Sequence, residues 1–245
     1  GCESGGDLKN IPDLTYENFL NFHRTYYHPS NSYIYLYGNM DMEEKLAFLD
    51  EHYLSHFDYL DVDSVIQEQK AFGACQDVTL EYPVAENEGE EDNTYLSYNM
   101  VVGNAADSQM AMAFEVLDYA LLSAPGAPLK QALLDVKAGK DVYGSYDDGI
   151  LQPYFTVIAK GSNPDRKEEF VSVIRQVLGD IVKNGIDKKA VEAGINYFEF
   201  RYREADFSSY PKGLMYSLDI LGDWLYESKA PFAQVQMLKV FENLK

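Results

Sequence analysis

Apolar residues repeat at helical spacing near the start of the chain. Phe19, Phe22 and Tyr26 lie on one helical face, with Thr15 as the N-cap and Pro29 as the stop. Residues 32–37 then read as a β-strand rich in aromatic and β-branched side chains, ended by Gly38-Asn39. Asp41 with Glu44 three positions on forms a capping-box signature, predicting a helix to about Phe57. Residues 58–75 lose all periodicity and read as a linker.

Beyond it, residues 76–84 alternate Val78, Leu80 and Tyr82 against polar neighbours, predicting a strand. Residues 94–102 predict a second one, so the two form a hairpin with the acid-rich loop 85–93 at its solvated tip. Asp107 opens a helix with Met110, Phe114, Leu117 and Leu121 facing inward, and Pro125-Gly126-Ala127-Pro128 breaks it. A short helix over 129–136 ends at Gly139. Residues 142–146 and 151–160 predict another hairpin. Asn163-Pro164 starts a helix burying Phe170, Val173, Ile174, Val177 and Ile181. Asp187 caps the next helix. Pro211 starts one with Leu214, Leu218, Leu221 and Leu225 inward, and Pro231 a last one.

Two hairpins, each followed by helices, imply an α+β fold: an antiparallel sheet with helices packed on one face. The expected organisation is residues 1–57 as the C-terminal part of a first such domain, 58–75 as linker, and 76–245 as most of a second.

With 245 residues, 46% hydrophobic and 14% aromatic, the chain can bury a sizeable core. No apolar run reaches the ~20 residues needed to cross a bilayer, and residues 1–7 show no signal-peptide pattern. The net charge of −20 repels phosphate backbones and anionic lipid, arguing against nucleic acid and membrane as partners; solubility is the plainer reading of that charge, and attraction of cationic ligands or peptides the sharper one. Cys2 and Cys75 do not make a disulfide framework and are expected to be free thiols in a reducing compartment.

Catalytic candidates are few. His52 and His56 have metal-ligand spacing on a helix, but the residues between them are Tyr, Leu and Ser, without the glutamate a zinc peptidase helix needs. A surface pair at a helix C-terminus, favoured by the helix dipole, is the better reading of them than a metal site. Neither Gly144-Ser145 nor Gly161-Ser162 continues to a nucleophile elbow. The aromatic run Tyr143, Tyr146, Tyr154 and Phe155 falls on one hairpin, where alternation sends part of it to the core and leaves part for a peptide-binding wall; Tyr143 and Tyr154 are the candidates for substrate contact.

One landmark series adds to this reading: Ser4-Gly5-Gly6-Asp7, Ile11-Pro12-Asp13-Leu14-Thr15, Phe22-His23, Tyr26-Tyr27-His28-Pro29-Ser30-Asn31-Ser32 and Tyr37-Gly38-Asn39. Weaker blocks follow at Leu121-Leu122, Pro125-Gly126 and Pro128-Leu129, and at Asp206-Phe207 with Tyr210-Pro211-Lys212-Gly213-Leu214. The series resembles the presequence-protease branch of the insulinase-like (pitrilysin-type) zinc metallopeptidases. That resemblance implies a parent enzyme enclosing and cleaving unfolded peptides through a zinc-activated water. Zinc would be bound outside this segment, since the family's His-x-x-Glu-His helix has no counterpart here. No catalytic or metal residue is carried over. The chain is then expected to be non-catalytic scaffold and chamber wall, partnered by the remaining domains of the parent and by unfolded, possibly basic, peptides. The bacterial cytoplasm, or an organelle matrix in a eukaryote, is the expected compartment. The alternative is a stand-alone, non-catalytic peptide- or subunit-binding module of the same fold.

Overall fold

The computed structural model describes residues 5–87, 89–205, 207–226, 229–233 and 235–245, so Cys2, Ser4, Glu88 and Asp206 lie outside it. The chain divides into two compact units, Gly1–Gln67 and Glu68–Lys245. The division falls inside the aperiodic stretch 58–75.

The first unit is two helices joined by extended chain. Helix α1, Tyr16–Tyr26, starts where the Thr15 side chain accepts the Asn18 N–H, 3.1 Å away. Helix α2, Met42–His52, starts the same way, with the Asp41 carboxylate accepting from the Glu44 N–H at 3.0 Å. A short 3₁₀ turn, Leu54–His56, follows it. The expected strand 32–37 is extended but unpaired: Tyr35 and Tyr37 stack with the two-residue period of a strand, yet no ladder forms among the described residues. A strand is completed only by a neighbour that takes its backbone hydrogen bonds. None of the unit's described residues is buried; Phe19 and Phe22 stay 64% and 59% exposed.

The second unit carries the core. Strands β1 (Thr94–Val101), β2 (Asp141–Asp147) and β3 (Tyr154–Ser162) form an antiparallel sheet in the order β1-β3-β2. Leu96 faces Ala159, Tyr98 faces Val157 and Met100 faces Phe155 across β1 and β3. Val142 faces Ala159, Gly144 faces Val157 and Tyr146 faces Phe155 across β2 and β3. These residues point to one side, where three helices cover them: α3 (Ser108–Asp118), α4 (Pro128–Asp135) and α5 (Lys167–Asn184). Leu122, Leu129, Leu133, Phe170 and Ile174 close that core at 1% exposure or less. A second layer, α6 (Lys188–Glu204) and α8 (Leu238–Leu244), packs on the outer side of α3 through Val116, Ile195, Met237 and Phe241. Helix α7 spans Lys212–Trp224. The chain therefore has the expected class, α+β with helices on one face of an antiparallel sheet.

Several local expectations change. Residues 76–84 do not pair with β1. They run extended and are tied down by side chains instead: the Tyr82 hydroxyl donates to the Asn93 carbonyl, and Asp77 meets Lys167 of α5. Val78 and Leu80 are exposed. The acidic loop is not purely solvated, because Asp92 and Asn163 bond each other twice, at 2.8 and 2.7 Å. Asn163 is thereby used up and does not cap α5. On α3, Met110 is exposed and Val116 is buried, since this helix is covered on two sides rather than one. Lys137, not Gly139, takes the left-handed conformation after α4, with φ of 55°. Gly139 is needed for space, because a Cβ there would lie 2.7 Å from the Lys160 carbonyl oxygen. On α7, Leu214, Leu218 and Leu225 face outward and Ile220 is the buried residue. Pro231 begins turns, and the last helix starts only at Leu238.

The tightest helix-to-sheet approach is at Gly144. A Cβ there would stand 2.2 Å from Asp118 Oδ1 and 2.4 Å from Leu122 Cδ1. Gly144→Ala should therefore destabilise the second unit by about 1–3 kcal/mol, read as a lower urea midpoint at unchanged slope.

Candidate functional site

Alternation divides the aromatic hairpin. Tyr146 and Phe155 are cross-strand partners on the helix side, where Phe114 stacks on Tyr146 at 5.4 Å and Phe155 is 3% exposed. Both are core. Tyr143 and Tyr154 lie on the opposite, helix-free face, Tyr143 across from Ile158 and Tyr154 across from Asp147. They share a face but sit at different levels of the hairpin.

That face is laid out as a polar track between aromatic groups. Thr156 donates to Asn99 Oδ1 at 2.8 Å, and Asn99 donates to the Ser97 hydroxyl at 3.1 Å. Tyr154 donates its hydroxyl to Asp147 at 2.9 Å. Accepting that bond is easier for a carboxylate than giving up the phenol proton beside it, so the Tyr154 pKa is raised, by the hydrogen bond first and the Asp147 charge second. At the far end Lys160 reaches over the Tyr95 ring, 5.8 Å from its centroid. The exposed Ser97 hydroxyl and Asn99 amide, with the rings, suit contact with a peptide chain, while Thr156 is 4% exposed and braces Asn99 from beneath; the face pairs no nucleophile with a base.

The histidines have local work in the first unit. His28 Nδ1 accepts from the Ser30 N–H at 3.1 Å while its ring meets Phe57 edge-on. His23 stacks on Tyr27 at 4.8 Å, and His52 packs against Phe48 at 4.6 Å. His52 ends α2 and His56 lies in the 3₁₀ turn after it, so a single continuous helix does not present the pair. Among the described residues no three His, Cys, Asp or Glu side chains are grouped to hold a metal ion. The described residues thus do not fit a zinc site. Cys75 is an exposed free thiol.

One cluster had no signal in the sequence. Glu115 of α3, Asp148 of the β2–β3 turn and Asp219 of α7 line a cleft of about 360 Å³ with Arg201 of α6. They are 33 and 71 positions apart along the chain, and no motif links them. Glu115 is half-buried there, and its pKa is raised to about 7 by burial first, then by Asp148 and Asp118, against a lowering pull from Arg201.

Residues 13–198 match the family model described as Peptidase M16 inactive domain. The chain belongs to this family. It is 46% identical over 242 residues to Protein HypA of Clostridium perfringens (strain 13 / Type A), covering 99% of this chain and 25% of that protein. To Presequence protease 1, chloroplastic/mitochondrial, of Arabidopsis thaliana it is 34% identical over 249 residues, covering 100% of this chain and 23% of that protein. The chain thus spans about a quarter of the length of the curated relatives it matches. In fold it resembles an M16-like peptidase from Alicyclobacillus acidocaldarius, with a TM-score of 0.62 at 17% identity over 100% of this chain and 56% of that one. A protease from Helicobacter pylori gives 0.59 at 16% identity, over 98% and 57%. The segment of M16 peptidase fold seen here is the non-catalytic kind. The resemblance to presequence proteases extends along the whole chain.

Asp147→Asn should return the Tyr154 pKa downward to the ordinary tyrosine range, because the charge beside the phenol is gone. An ultraviolet phenolate titration, difference-subtracted against Tyr154→Phe, reads it.

Proposed function

We propose that this chain is the scaffold and chamber-wall segment of a larger zinc-dependent peptidase that degrades unfolded peptides. The observation that carries the reading is the helix-free sheet face bearing Tyr143 and Tyr154, in a domain of the inactive peptidase class. Zinc and the catalytic groups belong to other parts of the parent, and this chain supplies contact. Unit by unit, residues 1–57 are the end of one peptidase-family domain, 58–75 a linker, and 76–245 most of a second domain. The absence of any buried residue among the described ones in the first unit supports this, since α1 and α2 need further chain to cover their apolar faces. The net charge of −20 supports a preference for basic peptides. Presequence proteases among the relatives are named as chloroplastic/mitochondrial or mitochondrial, which supports an organelle for a eukaryotic parent; for a bacterial parent the reading is the cytoplasm. No helix among the described residues is long and apolar enough to cross a membrane.

Tyr143→Ala with Tyr154→Ala in the parent enzyme should raise KM for long peptides about three- to tenfold with kcat nearly unchanged, the pattern of lost uniform binding. Unchanged KM would remove both tyrosines from the substrate path. Raising salt from about 0.05 to about 0.5 M should lower kcat/KM for basic peptides more than for neutral ones. Equal effects would reject charge attraction.

A further inference from the structure

The aperiodic stretch 58–75 is held by side chains at two places. The first hold is the turn that follows α1. Pro29–Asn31 is a 3₁₀ turn, set by proline at its first position and by His28 Nδ1, which accepts the Ser30 N–H. Ser30 Oγ then accepts the Leu60 N–H at 3.1 Å. Asn31 uses both ends of its amide: Nδ2 donates to the Tyr26 carbonyl at 2.9 Å, and Oδ1 accepts from the Ser64 hydroxyl at 2.6 Å. The Ser64 N–H closes a tight turn on the Val62 carbonyl at 2.9 Å, and Val62 is half-buried.

The second hold belongs to the other unit. Glu68 Oε1 accepts from Asn104 Nδ2 at 3.0 Å. Gln69 is gripped by its backbone: its N–H donates to Gln152 Oε1 at 2.6 Å, and its carbonyl accepts from Gln152 Nε2 at 3.1 Å. One side-chain amide thus satisfies both main-chain groups of one residue, as a neighbouring strand would. Asn104 and Gln152 stand on a fixed base. The Ala105 N–H donates to the Leu151 carbonyl at 3.0 Å, the Val102 N–H donates to the Pro153 carbonyl at 2.8 Å, and Ala105 and Pro153 are buried. Beyond Gln69 the chain forms a loop of this same unit, tied at its far end where Asp77 meets Lys167.

Between the two holds lie Val65, Ile66 and Gln67. Among the described residues these three make no hydrogen bond or ion pair, and Val65 and Ile66 are 72% and 61% exposed. The division into two units falls at the end of this span, between Gln67 and Glu68.

We propose that the covalent joint between the two units is Val65–Gln67, and that residues 58–64 and 68–69 are fixed parts of the units whose side chains hold them. The inference rests on reading 58–75 as the connection between two peptidase-family domains, and it replaces a long spacer by a short pivot. Three free residues span at most about 10 Å, whereas a wholly free 58–75 would average about 23 Å and reach much farther. The Pro29-Ser30-Asn31 turn gains a role beyond stopping α1: it is the socket for the linker's first half.

Amide exchange corrected for intrinsic rate, with nitrogen-15 relaxation, tests the joint residue by residue. In the unmutated chain Leu60, Ser64 and Gln69 should exchange about five- to tenfold slower than their intrinsic rates. Val65, Ile66 and Gln67 should exchange at theirs, with order parameters below about 0.6. Ser30→Ala should remove the protection of Leu60 and leave that of Gln69; Gln152→Ala should do the reverse. Amides of β3 and α5 report that each variant is folded. Unprotected exchange throughout 58–69 would overturn the joint and leave two domains on a free linker. Protection running through Val65–Gln67 would overturn the joint and the linker reading together. Protection of Leu60 or Gln69 that survives loss of its own partner, or loss at both holds from either substitution, would overturn the separate holds.

Discussion

Strand β3 has to satisfy backbone hydrogen bonds on both edges and bury one face completely. Its neighbours are β1 on one side and β2 on the other, and Phe155, Val157 and Ala159 are at most 3% exposed. β1 and β2 both pair with it, and the main core is built on its inner face. The helix layer forms because alternate residues of all three strands converge on one side, and α3, α4 and α5 are the elements with apolar stripes to match. Gly144 sets how close α3 may come; a larger side chain there would collide with Asp118 and Leu122.

The same alternation produces the other face. Each residue that β2 or β3 sends to the helices obliges its neighbour to point away, so Tyr143, Tyr154 and the buried Thr156 share one side of the sheet by the period of the strand. The fold thus makes a core face and a helix-free face from one short sheet. This suits the proposed role in which the chain shapes a peptide-holding surface while chemistry is done elsewhere. Among its described residues the first unit has no comparable sheet; its helices are capped and formed but their apolar faces remain open.

Charge works against this framework as well as for it. Some acids are placed where backbone or cations reward them: Asp41 and Asp107 cap helices, and Asp92, held by Asn163 and Lys140, has its pKa lowered. Others, Glu115 among them, are brought near one another by packing. A chain with 40 acids and 20 bases cannot pair them all, and the cleft beside α7 is where that imbalance meets partial burial.

What the sequence by itself determined lies within a few residues of the signal. Thr15, Asp41, Asp107 and Asp187 each accept an N–H two or three positions on, and the 141–162 hairpin needs only its own turn and alternation. The class, α+β with helices on one face, and the separation of Tyr146 and Phe155 from Tyr143 and Tyr154 follow from the same short periods. The tertiary structure alone decided what depends on distant partners. Thr94 pairs with Ser162, so strand order could not be read along the chain. Residues 32–37 and 76–84 have strand composition but no ladder, because a strand exists only with a neighbour at its edge. The leucines of α7 have helical spacing, yet spacing names a stripe and not what covers it; Ile220 was chosen by contact. Glu115, Asp148 and Asp219 became one group for that reason too: burial and charge act through space, and the sequence records only order.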